Sequence, residues 1–158
     1  MRLRFLGTGT SFGVPQIGCD CVVCRSTDPR DQRTRCAVVI DTDDGTRVLI
    51  DTPPELRLQL VAARIGTVDA VLYTHEHADH VHGIDDLRAI TMRRETPLPM
   101  FAEQATLDML AARFPYIMDA SLRPLPGTTK PEGQAIAIEP GVPFMVRDTR
   151  ILPIAIPH

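Results

Sequence analysis

The sequence has no tryptophan, and aromatic residues make up only 4% of it. So few rings leave little material for a platform that stacks nucleic-acid bases. Charge is nearly balanced: 17 basic against 20 acidic side chains give a net charge of −3. No overall basic field is there to draw in nucleic acid or anionic lipid. No apolar run approaches the ~18 residues a membrane helix needs. Gly7 interrupts the apolar stretch after Met1 before it reaches the length of a secretory leader. The expectation is therefore a cytoplasmic protein with reduced cysteines and no membrane partner. Histidine is also scarce, with five in 158 residues, yet four of them fall in the stretch YTHEHADHVHG, 73–83.

The bulk composition, 44% hydrophobic and 23% charged, suits one globular domain. Alternation predicts a strand at 2–7, followed by a glycine-rich loop. The runs 36–41 and 46–51 flank TDDG and read as a hairpin. Pro53 and Pro54 fit the first turn of a helix over 55–65 that ends at Gly66. The nearly continuous apolar run 68–75 reads as a strand buried on both faces. Helices are expected at 84–94 and 104–114, the second cut off by Pro115. Strands are expected at 98–103, 134–139, 143–147 and 150–156, with a long Pro- and Gly-rich loop over 118–133. This order suggests an α/β fold in which helices cover a mixed sheet.

The histidine cluster lies just beyond the buried strand, where open α/β sheets place their sites. His75 and His77 alternate, so both side chains point the same way from extended backbone. Asp79 and His80 follow on a bend. Imidazole and carboxylate suit zinc, manganese or iron. Two ligand pairs offset in this way can hold two metals ~3.5–4 Å apart. A polar loop that merely happens to contain histidine is the weaker reading.

HEHADH resembles the H-x-H-x-D-H signature of the metallo-β-lactamase-fold hydrolases. The resemblance implies an αββα sandwich, of which this chain would be the N-terminal portion. It assigns His75 and His77 to one metal, with His158 as third ligand, and Asp79 and His80 to a second. Asp79 then serves the catalysis directly. Asp51 matches the carboxylate that orients the ligand loop, although a carboxylate near a helix N-terminus also has a reason to be there. His82 has no ligand role in the pattern and is expected at the surface.

A second cluster is Cys19, Cys21 and Cys24, with Cys36 twelve residues on. Thiolates at this spacing suit a structural zinc, and Cys36 is either its fourth ligand or a small buried hydrophobe. A Cys21–Cys24 redox pair is the minority reading. With LGTGTSFGVPQIG ahead of it, this cluster resembles the branch containing the phosphoribosyl 1,2-cyclic phosphate phosphodiesterase of phosphonate catabolism. There three cysteines and a later His hold a structural zinc.

The resemblance implies two catalytic zinc ions, with manganese or iron as substitutes, and one structural zinc. It implies a phosphodiesterase acting on a small, cyclic phosphodiester through a metal-bridging hydroxide. Thioester or lactone hydrolysis, RNA 3′-end processing, a di-iron redox protein and a zinc-stabilised binding module without turnover are the alternatives. Gly7, Gly9 and Gly13 either offer N–H groups to a phosphate or simply turn the chain. Arg30, Arg33 and Arg35 are expected on a solvated face. The superfamily pattern also needs a bridging Asp and a last His after the third His. Both are missing here, so the expectation is a single domain, 1–158, cut short, with a Cys-rich zinc loop over 19–36. A homodimer whose strands cover an unpaired edge would suit such a chain.

Overall fold

The computed structural model describes residues 1–156. Among these residues eight strands are present: β1 (Arg2–Gly7), β2 (Ala37–Asp41), β3 (Arg47–Ile50), β4 (Ala70–Leu72), β5 (Leu98–Ala102), β6 (Gly133–Ala137), β7 (Phe144–Val146) and β8 (Thr149–Ile151). The helices are α1 (Leu56–Ala63), α2 (Ala78–Val81), α3 (Arg88–Thr91), α4 (Gln104–Arg113) and α5 (Pro115–Met118). The first six strands form one sheet in sequence order. β2 runs antiparallel to both of its neighbours, β1 and β3, and β3 to β6 are parallel. β7 and β8 form a separate antiparallel pair. The expected mixed sheet with covering helices is thus what forms.

The two faces of the large sheet have different covers. Val39, Leu49, Val71, Leu98 and Met100 point to the helical side, where they meet Leu56, Leu60, Ile84, Leu87, Leu107 and Leu110. Leu49, Val71 and Met100 are fully buried, and each such side chain contributes about 1.5–3 kcal/mol. On the other side, Val48, Ala70 and Phe101 pack against Val146 of β7, with Phe144 stacked on Phe101 at 4.8 Å. This is the start of a sheet-on-sheet layer. Toward β1 the same side is open, and Leu3 and Phe5 are exposed.

Local chemistry explains the connections. Between β2 and β3, the N–H of Thr46 donates to Asp44 Oδ1 at 2.9 Å, and Gly45 takes φ +84°. Helix α1 stops earlier than Gly66: Arg64 adopts a left-handed φ of 57° and turns its N–H to Leu60 and Val61. The two prolines stand ahead of α1. Its first turn is capped instead from a distant segment, where Asp86 Oδ2 accepts the N–H of Arg57 at 3.3 Å. The single helix expected over 84–94 is a 3₁₀ turn, Ile84–Leu87, leading into α3. Pro115 does not simply stop a helix; it opens the one-turn α5, a position that suits its missing N–H.

The parallel register positions the site. Ile50 lies beside Leu72, so Asp51 and Tyr73 leave the sheet together at its carboxyl end. Gly83 closes the loop that follows, and its N–H donates to Thr52 O at 2.8 Å. A Cβ added at Gly83 would run into the Pro53 carbonyl oxygen and lie 2.9 Å from Leu56 Cβ. Gly83→Ala should therefore destabilise the fold by roughly 1–3 kcal/mol, as overpacking does. Urea denaturation of the two proteins measures this.

Candidate metal centre

Asp51 is 3% exposed and has a φ of 62°. Left-handed backbone is disfavoured for most residues and tolerated best by Asp and Asn among those with a side chain. Here it turns the carboxylate toward the 73–83 loop. Oδ1 accepts the N–H of Thr74 at 2.8 Å. Oδ2 accepts the Thr74 hydroxyl at 2.8 Å and lies 2.7 Å from Nδ1 of His80. The Thr74 oxygen is in turn 2.9 Å from Nδ1 of His75.

This pattern assigns both tautomers. The Thr74 hydroxyl proton is directed at Asp51, so Thr74 accepts from His75 Nδ1–H. His80 Nδ1–H donates to the same carboxylate. In each ring Nε2 is then the nitrogen with the lone pair that a metal takes. One carboxylate thereby orients two imidazoles, one directly and one through Thr74. The hydrogen bond that His80 donates to Asp51 raises the His80 pKa against the opposing effect of burial.

The rings gather closely. The centroid of His75 is 4.6 Å from that of His77 and 4.1 Å from that of His80. Asp79 Oδ2 is 3.4 Å from His80 Nε2. Asp79 and His80 lie in α2, whose N-terminal boundary is His77. This single helical turn, which the sequence reading missed, swings Asp79 and His80 away from the extended His75–His77 segment. Below it, Thr52 anchors the loop: its hydroxyl donates to Val81 O at 3.2 Å, and its N–H to His80 O at 2.7 Å. Buried Tyr73 is its neighbour, with the two hydroxyls 3.3 Å apart. Imidazoles and a carboxylate with oriented rings fit divalent zinc, manganese or iron. The third ligand expected for the first metal, His158, lies outside the described residues.

The ligand atoms of Cys19, Cys21 and Cys24 all lie within 4.8 Å of one another, the only such His, Cys, Asp or Glu group of three among the described residues. Backbone N–H groups of Gln16 and Cys24 point at Cys24 Sγ and Cys21 Sγ, each at 3.4 Å. The N–H of Cys24, then Cys19, lowers the Cys21 pKa to about 7. This donor set also fits zinc. Cys36 is not brought into it. It precedes β2, and its pKa is raised by burial and by the charge of Asp51, so its electrostatic neighbour is the histidine site. Cys36 is half-buried and stands apart from the trio.

The glycine loop does not offer the expected row of donors. Gly9 N–H donates to Thr34 O at 2.8 Å and Gly13 N–H to Thr10 O at 2.9 Å. Gly9 is required because a Cβ would lie 2.6 Å from Arg33 O, and at Gly7 it would overlap Arg35 O. Close packing against the 33–35 segment, not phosphate contact, accounts for these residues. Of the arginines, Arg30 pairs with Asp28 at 2.6 Å on an exposed surface, as expected. Arg35 does not sit on a solvated face: it pairs with Glu55 and donates to Ser11 O at 2.8 Å. His82 is exposed, with its ring set edge-on to Phe114.

Two outcomes follow from these contacts. Asp51→Asn puts an amide where three donors converge, and should cost about 1–3 kcal/mol of stability and weaken metal binding roughly 10–100-fold. Denaturation and a chelator competition measure the two effects. Cys21→Ser should lower the zinc content and the melting temperature, read by elemental analysis and calorimetry, while the histidine loop keeps its own metal.

Comparison with known proteins fits this geometry. The family model described as a beta-lactamase superfamily domain matches residues 46–158. An octanoyltransferase of Porphyromonas gingivalis is 48% identical over all of this chain, which covers 31% of that protein. Coenzyme PQQ synthesis protein B of Rhodopseudomonas palustris is 32% identical over 71% of this chain and 39% of its own length. Among solved structures, a diphosphatase from the PhnP family matches at 36% identity and a TM-score of 0.81, over 95% of this chain and 54% of that one. Zn2+-bound PqqB from Methylobacterium extorquens shares the fold at 22% identity and a TM-score of 0.79, over 99% and 56%. The chain thus spans about a third to about a half of the length of these relatives. No helix among the described residues is long and apolar enough to cross a membrane. The chain belongs to the beta-lactamase superfamily and has the metallo-β-lactamase fold.

Proposed function

We propose that this chain carries the metal loop of a binuclear hydrolase acting on a small phosphoester, with a cyclic phosphodiester as the substrate class. The observation that carries the reading is the Asp51 carboxylate, which holds the Nδ1 side of His80 directly and that of His75 through Thr74, with the His77 ring 4.6 Å from the His75 ring. The 36% identity to a diphosphatase supports phosphorus over other electrophilic centres.

His75 and His77 would hold one metal, and Asp79 and His80 a second. When bound, divalent metals supply Lewis acidity toward phosphoryl oxygens and acidify a water ligand. The residues of this chain do the rest. Asp51 and Thr74 hold the His75 and His80 rings against rotation, so the donors need no reorganisation when a substrate arrives. Asp79, partly exposed beside His80 Nε2, would receive the proton of the attacking water. The three cysteines would hold a structural zinc that ties down the loop ahead of Arg33–Arg35.

The name octanoyltransferase belongs to a protein of which the matching segment is 31%. An octanoyl thioester therefore belongs in the test beside the phosphoesters. Cyclic phosphodiesters should be hydrolysed in preference to that thioester. His77→Ala should lower this turnover by orders of magnitude with an unchanged far-UV CD spectrum. Equal turnover by the parent and His77→Ala, or a preference for the thioester, would contradict the reading.

A further inference from the structure

The bonds donated to Asp51 hold Thr74 and His80, at the two ends of the ligand run. Between them lies the peptide that joins Glu76 to His77. Its carbonyl oxygen accepts a 2.7 Å hydrogen bond from Nη1 of Arg113, on the last turn of α4 and thirty-seven positions away in the chain. Two more contacts come from the same corner. The ring of Phe114 meets that of His82 edge-on, with centroids 5.9 Å apart and planes at 85°. The hydroxyl of Tyr116 donates to Asp85 Oδ1 at 3.0 Å. Asp85 is itself held by Arg88 through two bonds of 2.7 and 2.9 Å.

The corner is anchored. Phe114 N–H closes α4 on Leu110 O at 2.8 Å, and its φ of −128° breaks the helix. Pro115 then restarts the chain as α5, and Ile117 is buried in the core while Phe114 packs against it. Burial, then Asp85, pushes the Tyr116 pKa up to about 12, so its hydroxyl stays a donor. The bend thus sends Arg113, Phe114 and Tyr116 outward from a fixed base onto Glu76, His82 and Asp85. No catalytic residue lies among the three.

We propose that the corner between α4 and α5 is an outer clamp on the metal loop, in which Arg113 is a positioning residue that fixes the Glu76–His77 peptide and with it the direction of the His77 side chain. Asp51 grips the loop from inside the fold, and Arg113 grips it from outside. A carbonyl held by a guanidinium cannot rotate without losing a charge-assisted hydrogen bond. The peptide plane it belongs to carries the N–H of His77, so the bond restrains ψ at Glu76 and φ at His77. The inference rests on the metal-loop reading above and adds a residue outside the ligand motif.

Cobalt(II) titration in competition with a chelator tests it, because thiolate charge-transfer bands report the cysteine site separately from the histidine site. Arg113→Met should weaken cobalt at the histidine site about tenfold, the lower end of the usual range for residues behind metal ligands. Cobalt at the cysteines and the melting temperature should stay as in the parent, since Arg113 is exposed. Arg113→Lys, which keeps a cationic donor, should recover most of the loss. Parent-like affinity in Arg113→Met, alongside lost affinity in a His77→Ala control, would overturn the clamp alone. So would a rise in KM for a phosphoester at unchanged cobalt affinity, which would make Arg113 a substrate contact. Parent-like affinity in His77→Ala would overturn the metal-loop reading and the clamp with it.

Discussion

A single buried carboxylate organises this structure. Asp51 leaves β3 in a left-handed conformation and collects the Thr74 N–H, the Thr74 hydroxyl and His80 Nδ1. Each bond ties the end of one parallel strand to the loop after the next. An unpaired carboxylate in this position would be costly to bury; here every bond to it also orients a part of the site. The fold serves this arrangement. Leu49, Val71 and Met100 hold β3, β4 and β5 in register under the helices, and that register delivers Asp51 and Tyr73 side by side.

Two candidate donor sets sit at different places on the same scaffold. The histidine loop is built from strand ends and a single helical turn, with its donors oriented by partners already in place. The cysteine trio sits on a loop without regular structure, and backbone N–H groups point at its sulfurs. The N–H of Cys24 lowers the pKa of Cys21, while Cys24, despite the N–H of Gln16, is pushed up by Cys19, by burial and by Cys21. A zinc ion held by the three sulfurs would take all of them as thiolates. The first site suits chemistry on a ligand, and the second suits holding a loop.

Much of this was legible in the sequence because local pattern and chemistry coincide there. H-x-H-x-D-H after a continuous apolar run gave the loop its place at a strand end. Alternation at 2–7 and the TDDG turn gave the antiparallel start of the sheet. What stayed hidden depends on contacts between distant segments. Thr74 looks like any threonine until Asp51 and His75 are found on either side of its hydroxyl. Arg113 lies thirty-seven residues from the peptide it holds. The glycines at 7, 9 and 13 read equally well as phosphate donors until the 33–35 segment is seen packed against two of them. Cys36 shares spacing with the cysteine cluster, but strand β2 carries it toward Asp51 instead.

The central claim is that the 73–83 loop binds metal through histidine and carboxylate, separately from the cysteines. The zinc absorption-edge fine structure of protein loaded with excess zinc and then desalted tests it most directly. The account predicts a nitrogen and oxygen shell at about 2.0–2.1 Å in addition to sulfur at about 2.3 Å. A spectrum fitted by sulfur alone would contradict it, because all retained zinc would then sit on the cysteines and the histidine loop would hold none.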